Sequence, residues 1–327
     1  MGAPRCWCCR WRRWIGALAD AEKPPLLVLL GPTAVGKSSL ALRWAERVGA
    51  EIIAADSTTV YRGADIGTAK PTPAERLRVP HHVIDVADPE EQYTVARFQR
   101  DATDAIHAIG QRGRVPLVVG GTGFWVRALL GNFPLAPAVD ASVRHRLEAW
   151  WDHEGPEPLL RQLKLVDPVS AAAIAPGDRR RVVRALEVYR TTGRPLPRQP
   201  GRAPYRVLRV GLRRSRPVLW RRIEDRARGQ LGAGLLDELL ALHAQGVGWH
   251  APAFLGLGYR EGVLWARGRL PSARLLPLIA LHTRQYAKRQ MTWLAREPDI
   301  QWVNLDESPE EDVLAQVVSW TTAWLQG

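Results

Sequence analysis

Apolar runs and apolar stripes alternate along the first third of this chain. Leu26 to Leu30 is a continuous apolar run, the pattern of a short strand buried on both faces. From Ser39 to Val48 the period becomes helical, with Leu40, Trp44 and Val48 on one stripe and Gly49 at its end. Glu51–Ala55 predicts a second strand, and PHHVIDV (80–86) a turn and a brief extended piece. Val95–Ile109 predicts an amphipathic helix that turns Val95, Phe98, Ala102, Ala105, Ile106 and Ile109 inward. Val115–Val119 is a third apolar run, closed by Gly120 and Gly121. Strand, helix, strand, helix, strand is the order of an α/β fold with a parallel sheet flanked by helices.

The pattern changes between about residues 132 and 204. Helices are expected at Ser142–Trp151, Pro158–Leu165 and Arg179–Thr191, separated by DP, PGD and TGRPLP turn signals. Arg206–Leu212 returns to the strand pattern. A long helical signal follows from Trp220 to Leu242, interrupted by Gly229, Gly232 and Gly234. His282–Leu294 predicts a basic helix, Val303 marks a last strand, and Val313, Leu314, Val317 and Val318 suit a closing helix. The chain therefore divides into an arm (1–22), a core (23–131 and 205–327) and a helical insertion (132–204).

Between the first strand and the first helix stands GPTAVGKS, Gly31 to Ser38, which is G-x-x-x-x-G-K-S in the strand-loop-helix setting that the motif requires. Its glycines allow the backbone N–H groups of Thr33, Ala34, Val35 and Gly36 to line an anion cradle, with the helix N-terminus adding to the field. Lys37 supplies a cation to phosphate oxygens, and the Ser38 hydroxyl is placed to ligate Mg²⁺. The loop announces a polyphosphate without saying which: ATP, GTP and a prenyl diphosphate all satisfy it.

Asp56 and Ser57 follow the second strand, at the edge where open parallel sheets place their sites. The stretch ADSTTVYRGADIGTAKPT (55–72) reads as a substrate-facing loop carrying Thr59, Tyr61, Arg62, Asp65, Thr68 and Lys70. Gly120 and Gly121 permit close approach of a ligand, and the Thr122 hydroxyl can donate to it. If a diphosphate departs, Lys37, the loop amides and Mg²⁺ stabilise its growing charge while Asp56 accepts a proton from the incoming nucleophile. A kinase would hold a nucleoside triphosphate in the same loop and pass on its γ-phosphoryl group. Residue spacing does not choose between the two.

Charge adds a macromolecular partner. The chain of 327 residues carries 46 basic and 33 acidic residues, a formal net charge of +13. Only Lys23, Lys37, Lys70, Lys164 and Lys288 are lysine, so the excess is overwhelmingly arginine, the residue suited to bidentate phosphate contact and base stacking. Nucleic acid is the first candidate, with arginine accumulation in a GC-rich genome as the alternative. The run DRRRVVRALEVYR places Arg180, Arg181 and Arg184 away from Val182 and Leu186, a face fit to lie along a phosphate backbone. Gln285, Lys288, Arg289 and Gln290 form a second such group, beside Tyr286. All cysteines, Cys6, Cys8 and Cys9, lie in the first nine residues. A core without disulfides or thiolate metal sites fits a reducing, cytoplasmic setting. No stretch has the length and apolarity of a membrane span. Residues 1–22 have no secretory pattern and read as a basic arm or as sequence upstream of a misassigned start.

Taken together, GPTAVGKSSLAL, AADSTTVYRGADIGTAKPT, PHHVIDVADPEEQYTVARFQRDA, LVVGGTGFWVRALL, RALEVYRTTGRPL, LWRRIEDR, FLGLGYRE and TRQYAKRQMTWL resemble the tRNA dimethylallyltransferase family, in family order from about residue 27 to 305. The resemblance implies a P-loop NTPase-like core with a helical insertion. It also implies transfer of a dimethylallyl group from dimethylallyl diphosphate to N6 of the adenine immediately 3′ of the anticodon. Asp56 matches the family's catalytic aspartate, Thr122 the threonine expected near the bridging oxygen of the diphosphate, and Arg226 a further diphosphate-stabilising group. The loop, Gly31 to Ser38, holds the diphosphate, with Mg²⁺ at Ser38. Expected against the anticodon stem-loop are Ser57, Thr59, Tyr61, Arg62, Lys70, Trp125, Arg180, Arg181, Arg184, Gln285, Lys288, Arg289 and Gln290, in an enzyme acting as a monomer.

This chain departs from the family pattern at named positions. Val35 replaces a Ser or Thr, Ser38 a frequent Thr, Thr59 a usual Gln and Trp125 a usual Tyr. Ser38 keeps a hydroxyl, whereas Thr59 shortens an adenine contact and Trp125 gives up a phenolic hydrogen bond while keeping a ring to stack.

Overall fold

The computed structural model describes residues 23–131, 135, 141–197 and 203–326. The expectations for residues 1–22, and those at 198–202, lie outside the described residues.

The sheet is six-stranded and parallel, in the order β3-β2-β4-β1-β5-β6, formed by β1 (Pro25–Leu30), β2 (Ala50–Ala55), β3 (His81–His82), β4 (Val115–Gly120), β5 (Arg206–Arg213) and β6 (Ile300–Asn304). Every residue of β1 is buried, as an apolar run in the middle of a two-faced sheet must be. Its side chains alternate between two cores. Leu26, Val28 and Leu30 join Phe98, Ile106 and Trp125 on one face, whereas Leu27 and Leu29 join Trp44, Leu219 and Val317 on the other.

Helices cover both faces: α1 (Lys37–Val48), α2 (Pro73–Arg78), α3 (Val95–Gln111), α4 (Gly123–Leu129), α9 (Arg216–Gly232), α10 (Leu235–Ala244), α11 (Tyr259–Ala266), α12 (Ser272–Leu294) and α13 (Glu310–Gln326). The interrupted signal over Trp220–Leu242 is two helices, with Gly234 at φ 96° between them. The basic helix begins ten residues before His282 and passes through Pro277, whose missing N–H costs one bond near the helix start. Two short helices, α2 and α4, have no counterpart in the sequence pattern. The α2 start carries a capping box in which the Thr72 side chain accepts from the Glu75 N–H and the Glu75 carboxylate accepts from the Thr72 N–H.

Residue contacts divide the chain into two units, 1–130 with 203–327, and 131–202. The second contains α5 (Ala141–Glu154), α6 (Glu157–Val166), α7 (Pro168–Ala173) and α8 (Arg179–Thr192), packed around Leu147, Leu159, Leu163, Val182 and Leu186. The turn signals act as helix caps there: Asp167 accepts from the Ser170 N–H at 3.0 Å and Asp178 from the Arg181 N–H at 3.1 Å. Glu187 is fully buried on α8 and is held by Arg144, at 2.7 and 2.8 Å, and by Arg184.

Candidate active site

Strand register assembles the site. Leu30 of β1 and Ala55 of β2 both stand opposite Gly120 of β4. The residues that follow, Gly31, Asp56 and Gly121, therefore leave the sheet side by side at its carboxyl edge.

The loop after β1 closes on Gly36, at φ 117°, a value open to glycine, and α1 starts at Lys37. Two arginines hold the turn from outside. Arg214 Nε donates to the Val35 carbonyl at 3.0 Å, and Arg222 Nε donates to the Ala34 carbonyl at 2.9 Å. Because the peptide unit is planar and trans, a Val35 carbonyl tied outward turns the Gly36 N–H inward. Lys37 folds over the loop, with Nζ donating to the Gly31 and Pro32 carbonyls at 2.9 Å each. Enclosure of this ammonium brings its pKa down from 10.5 to about 8. Asp56 opposes that fall and Arg226 adds to it.

Asp56 is anchored through one oxygen. Its Oδ1 accepts from the Thr58 N–H at 2.9 Å and from the Thr58 hydroxyl at 2.6 Å. Thr58 belongs to the substrate-facing loop without having been assigned a role there; the D-x-T spacing of an Asx turn carries the signal. Asp56, Ser57, Thr33, Arg226 and Arg289 line a cavity of about 220 Å³, together with Tyr286, Arg260 and Ile279. Burial works against the charge of Arg226 and the Asp56 carboxylate works for it. Tyr286 has its hydroxyl pushed up to about 12, first by burial and then by Asp56. The Thr122 hydroxyl is buried against the Tyr286 hydroxyl, and among the described residues it has no hydrogen bond of ordinary geometry. A hydroxyl in that condition is ready for an acceptor that arrives with a ligand.

The other expected site residues separate into two groups. Arg180 and Arg181 on α8, Arg62, and Gln285, Lys288 and Arg289 on α12 are exposed. Ser57 is half-buried on the cavity wall. The remainder make their contacts within the protein. Trp125 is 5% exposed and stacks on Phe98 with ring centroids 4.5 Å apart, so it packs as a core side chain. Trp125→Ala should cost about 3–5 kcal/mol of stability, read by denaturant unfolding; a loss below about 1 kcal/mol would contradict that placement.

Tyr61 is buried in the same core, and the Thr59 hydroxyl donates to the Asp56 carbonyl at 3.3 Å. The Lys70 ammonium is enclosed between Asp65 and Asp85, at 2.6 Å each, and also donates to the Tyr61 carbonyl. It braces the loop. Arg184 pairs with the buried Glu187. Gln290, only 3% exposed, bonds the phosphate loop and Gly121. In each case but Arg184, whose side chain stays 33% exposed, packing turned a polar or aromatic residue inward.

The family model "IPP transferase" matches residues 59–297. The chain belongs to the IPP transferase family. It is 47% identical over 310 residues to a tRNA dimethylallyltransferase of Halorhodospira halophila, covering 93% of this chain and 99% of that protein. With the tRNA dimethylallyltransferase of Thermomicrobium roseum it shares 45% identity over 289 residues, 88% of each chain. Among solved structures, the tRNA isopentenylpyrophosphate transferase of Bacillus halodurans superposes with a TM-score of 0.71 at 37% identity, over 93% of this chain and 97% of that one. A eukaryotic dimethylallyltransferase acting on tRNA gives a TM-score of 0.78 at 26% identity, over 92% of this chain and 80% of that one. The family's model begins after the phosphate loop and Asp56, so those residues carry their own chemical argument.

Proposed function

We infer that this protein transfers a dimethylallyl group from dimethylallyl diphosphate to N6 of the adenine immediately 3′ of the anticodon in tRNA, releasing diphosphate. Family membership supports the reaction. The observation that carries it at the level of residues is the meeting of Asp56, Arg226 and the Lys37 loop at one small cavity.

The diphosphate is held by the loop amides, the N-terminus of α1 and Lys37. The C–O bond of the donor breaks, its electron pair leaves with the diphosphate, and the Thr122 hydroxyl and Arg226 stabilise the charge that grows there. The adenine N6 lone pair forms the new C–N bond. Its proton passes to Asp56, whose Oδ1 is already held by Thr58, so the approach of the amine is oriented as well as catalysed. A base stacked in the anticodon loop reaches this cavity only after leaving its neighbours, so the nucleotide is flipped out. The apolar part of the wall, with Ile223, Ala227 and Ile279, keeps water from the allylic carbon.

The residues present fit Mg²⁺ in the manner usual for diphosphates. Ser38 offers an exposed hydroxyl beside the loop, and the described residues contain no cluster of three acidic, His or Cys side chains able to form a cage of their own. Ser38 would hold the ion together with diphosphate oxygens and water; once bound it would neutralise the leaving group. The exposed cations Arg180, Arg181, Lys288 and Arg289 would meet tRNA phosphates, which position the stem without reading it. We place the enzyme in the cytoplasm, as a monomer, where its tRNA substrate is found.

Mass spectrometry of nucleosides from tRNA, before and after incubation with the protein and dimethylallyl diphosphate, tests the reading. A mass gain on one adenosine is expected. Transfer of label from γ-labelled ATP, with no prenylated nucleoside, would replace it with kinase chemistry.

A further inference from the structure

Gln290 joins two parts of the site that no other hydrogen bond among the described residues connects. It lies on α12, 3% exposed, with both ends of its amide used. Oε1 accepts the Thr33 N–H of the phosphate loop at 2.8 Å, and Nε2 donates to the Gly121 carbonyl at 3.0 Å, one residue before Thr122. The fit leaves no slack. A Cβ at Gly121 would run into the Gln290 amide and would lie 3.1 Å from the Gly31 carbonyl. Loop, strand exit and α12 therefore converge on one amide. The other braces of the loop do not reach Thr122: Arg214 and Arg222 take the outer carbonyls, and Lys37 takes carbonyls of its own loop.

We propose that Gln290 is a positioning residue that sets the distance between the phosphate-holding loop and the Thr122 hydroxyl, so that both engage one diphosphate at once. This rests on the reading of the loop as a diphosphate holder. The chemistry of the side chain supports the assignment, because a donor is needed on one side and an acceptor on the other, and a primary amide supplies both. Glutamate would keep the acceptor for Thr33 and present a second acceptor to the Gly121 carbonyl. Methionine would keep the volume and leave the Thr33 N–H and the Gly121 carbonyl unpaired. The placement of Thr122 agrees: its hydroxyl is buried against Tyr286, so its usefulness depends on where the backbone before it is held.

The test is a double-mutant cycle on the affinity of the full-length protein for inorganic diphosphate, measured by calorimetry with Mg²⁺ present. Thr122→Val in the parent should weaken binding about tenfold, the worth of one hydrogen bond to a charged ligand. In the Gln290→Glu background the same change should weaken it less than about twofold, because a displaced hydroxyl has nothing left to lose. Gln290→Met serves as the second background if Gln290→Glu folds poorly. It is expected to abolish the Thr122 effect likewise. A tenfold Thr122 effect in both backgrounds, or none in the parent, overturns the proposal. A merely structural Gln290 would lower the melting temperature and leave the two substitutions independent. The cycle needs no prenyl transfer, so a protein that binds diphosphate yet leaves tRNA unmodified would remove the proposed reaction while the coupling between Gln290 and Thr122 stood or fell by itself.

Discussion

Asp56→Ala is expected to slow dimethylallyl transfer by about 10²–10⁴-fold, the span a positioned general base supplies, while tRNA affinity stays within about threefold. The adenine N6 amine has its lone pair drawn into the ring, so it attacks poorly unless its N–H is oriented and its proton removed as the bond forms. Asp56 is placed for both. It leaves the sheet beside Gly121, at the head of the loop 55–72, and Thr58 commits its Oδ1, which reserves Oδ2 for the proton. Asp56→Asn keeps the shape and loses the base, so it should be nearly as slow as alanine. The two variants together separate proton transfer from simple filling of space. Single-turnover transfer and RNA binding, measured on the same preparations, decide the matter; an asparagine variant at the parent rate would falsify the role. A side effect follows from the charge of Asp56, which helps to keep Lys37 protonated. Its removal should lower the pH at which diphosphate binding begins to fail.

Lys37→Met should weaken dimethylallyl diphosphate binding by about 10–100-fold, the worth of one charge-assisted contact in an enclosed site. The free enzyme holds this ammonium with a pKa of about 8, so it is charged below that pH and neutral above it. A diphosphate favours the charged form and raises the pKa again. Binding therefore takes up a proton above about pH 8, and the affinity falls as the pH rises through 8. Lys37→Met should flatten that slope as well as lower the affinity. Calorimetry in buffers of different ionisation enthalpy reads the proton directly. An affinity of the parent that is unchanged between pH 7 and pH 10 would show that the lysine does not meet the anion.

Much of the core was legible because its signals are local. The apolar run Leu26–Leu30, the glycine-bracketed loop and the stripe of α1 lie within one stretch of chain, and strand, loop and helix each follow from neighbours a few residues apart. Asp56 and Thr122 stand out by the same means, as polar residues just beyond apolar strands. Residues whose roles depend on distant partners are misleading in sequence. Gln290 and Lys70 carry the chemistry of an RNA contact and sit in segments rich in such residues. One is committed to a loop 257 residues away and the other to Asp65 and Asp85. Arg214 and Arg222 carry no mark of their role, because nothing near them in sequence points to Ala34 and Val35 as partners.

Sequence alone determined the α/β class and the identity of the chemical groups at the candidate site, since these follow from periodicity and from what glycine, lysine and carboxylate can do. The tertiary structure decided which polar side chains face the cavity and which are struts. A side chain's direction is set by packing against elements far off in the chain, and no period or spacing records that.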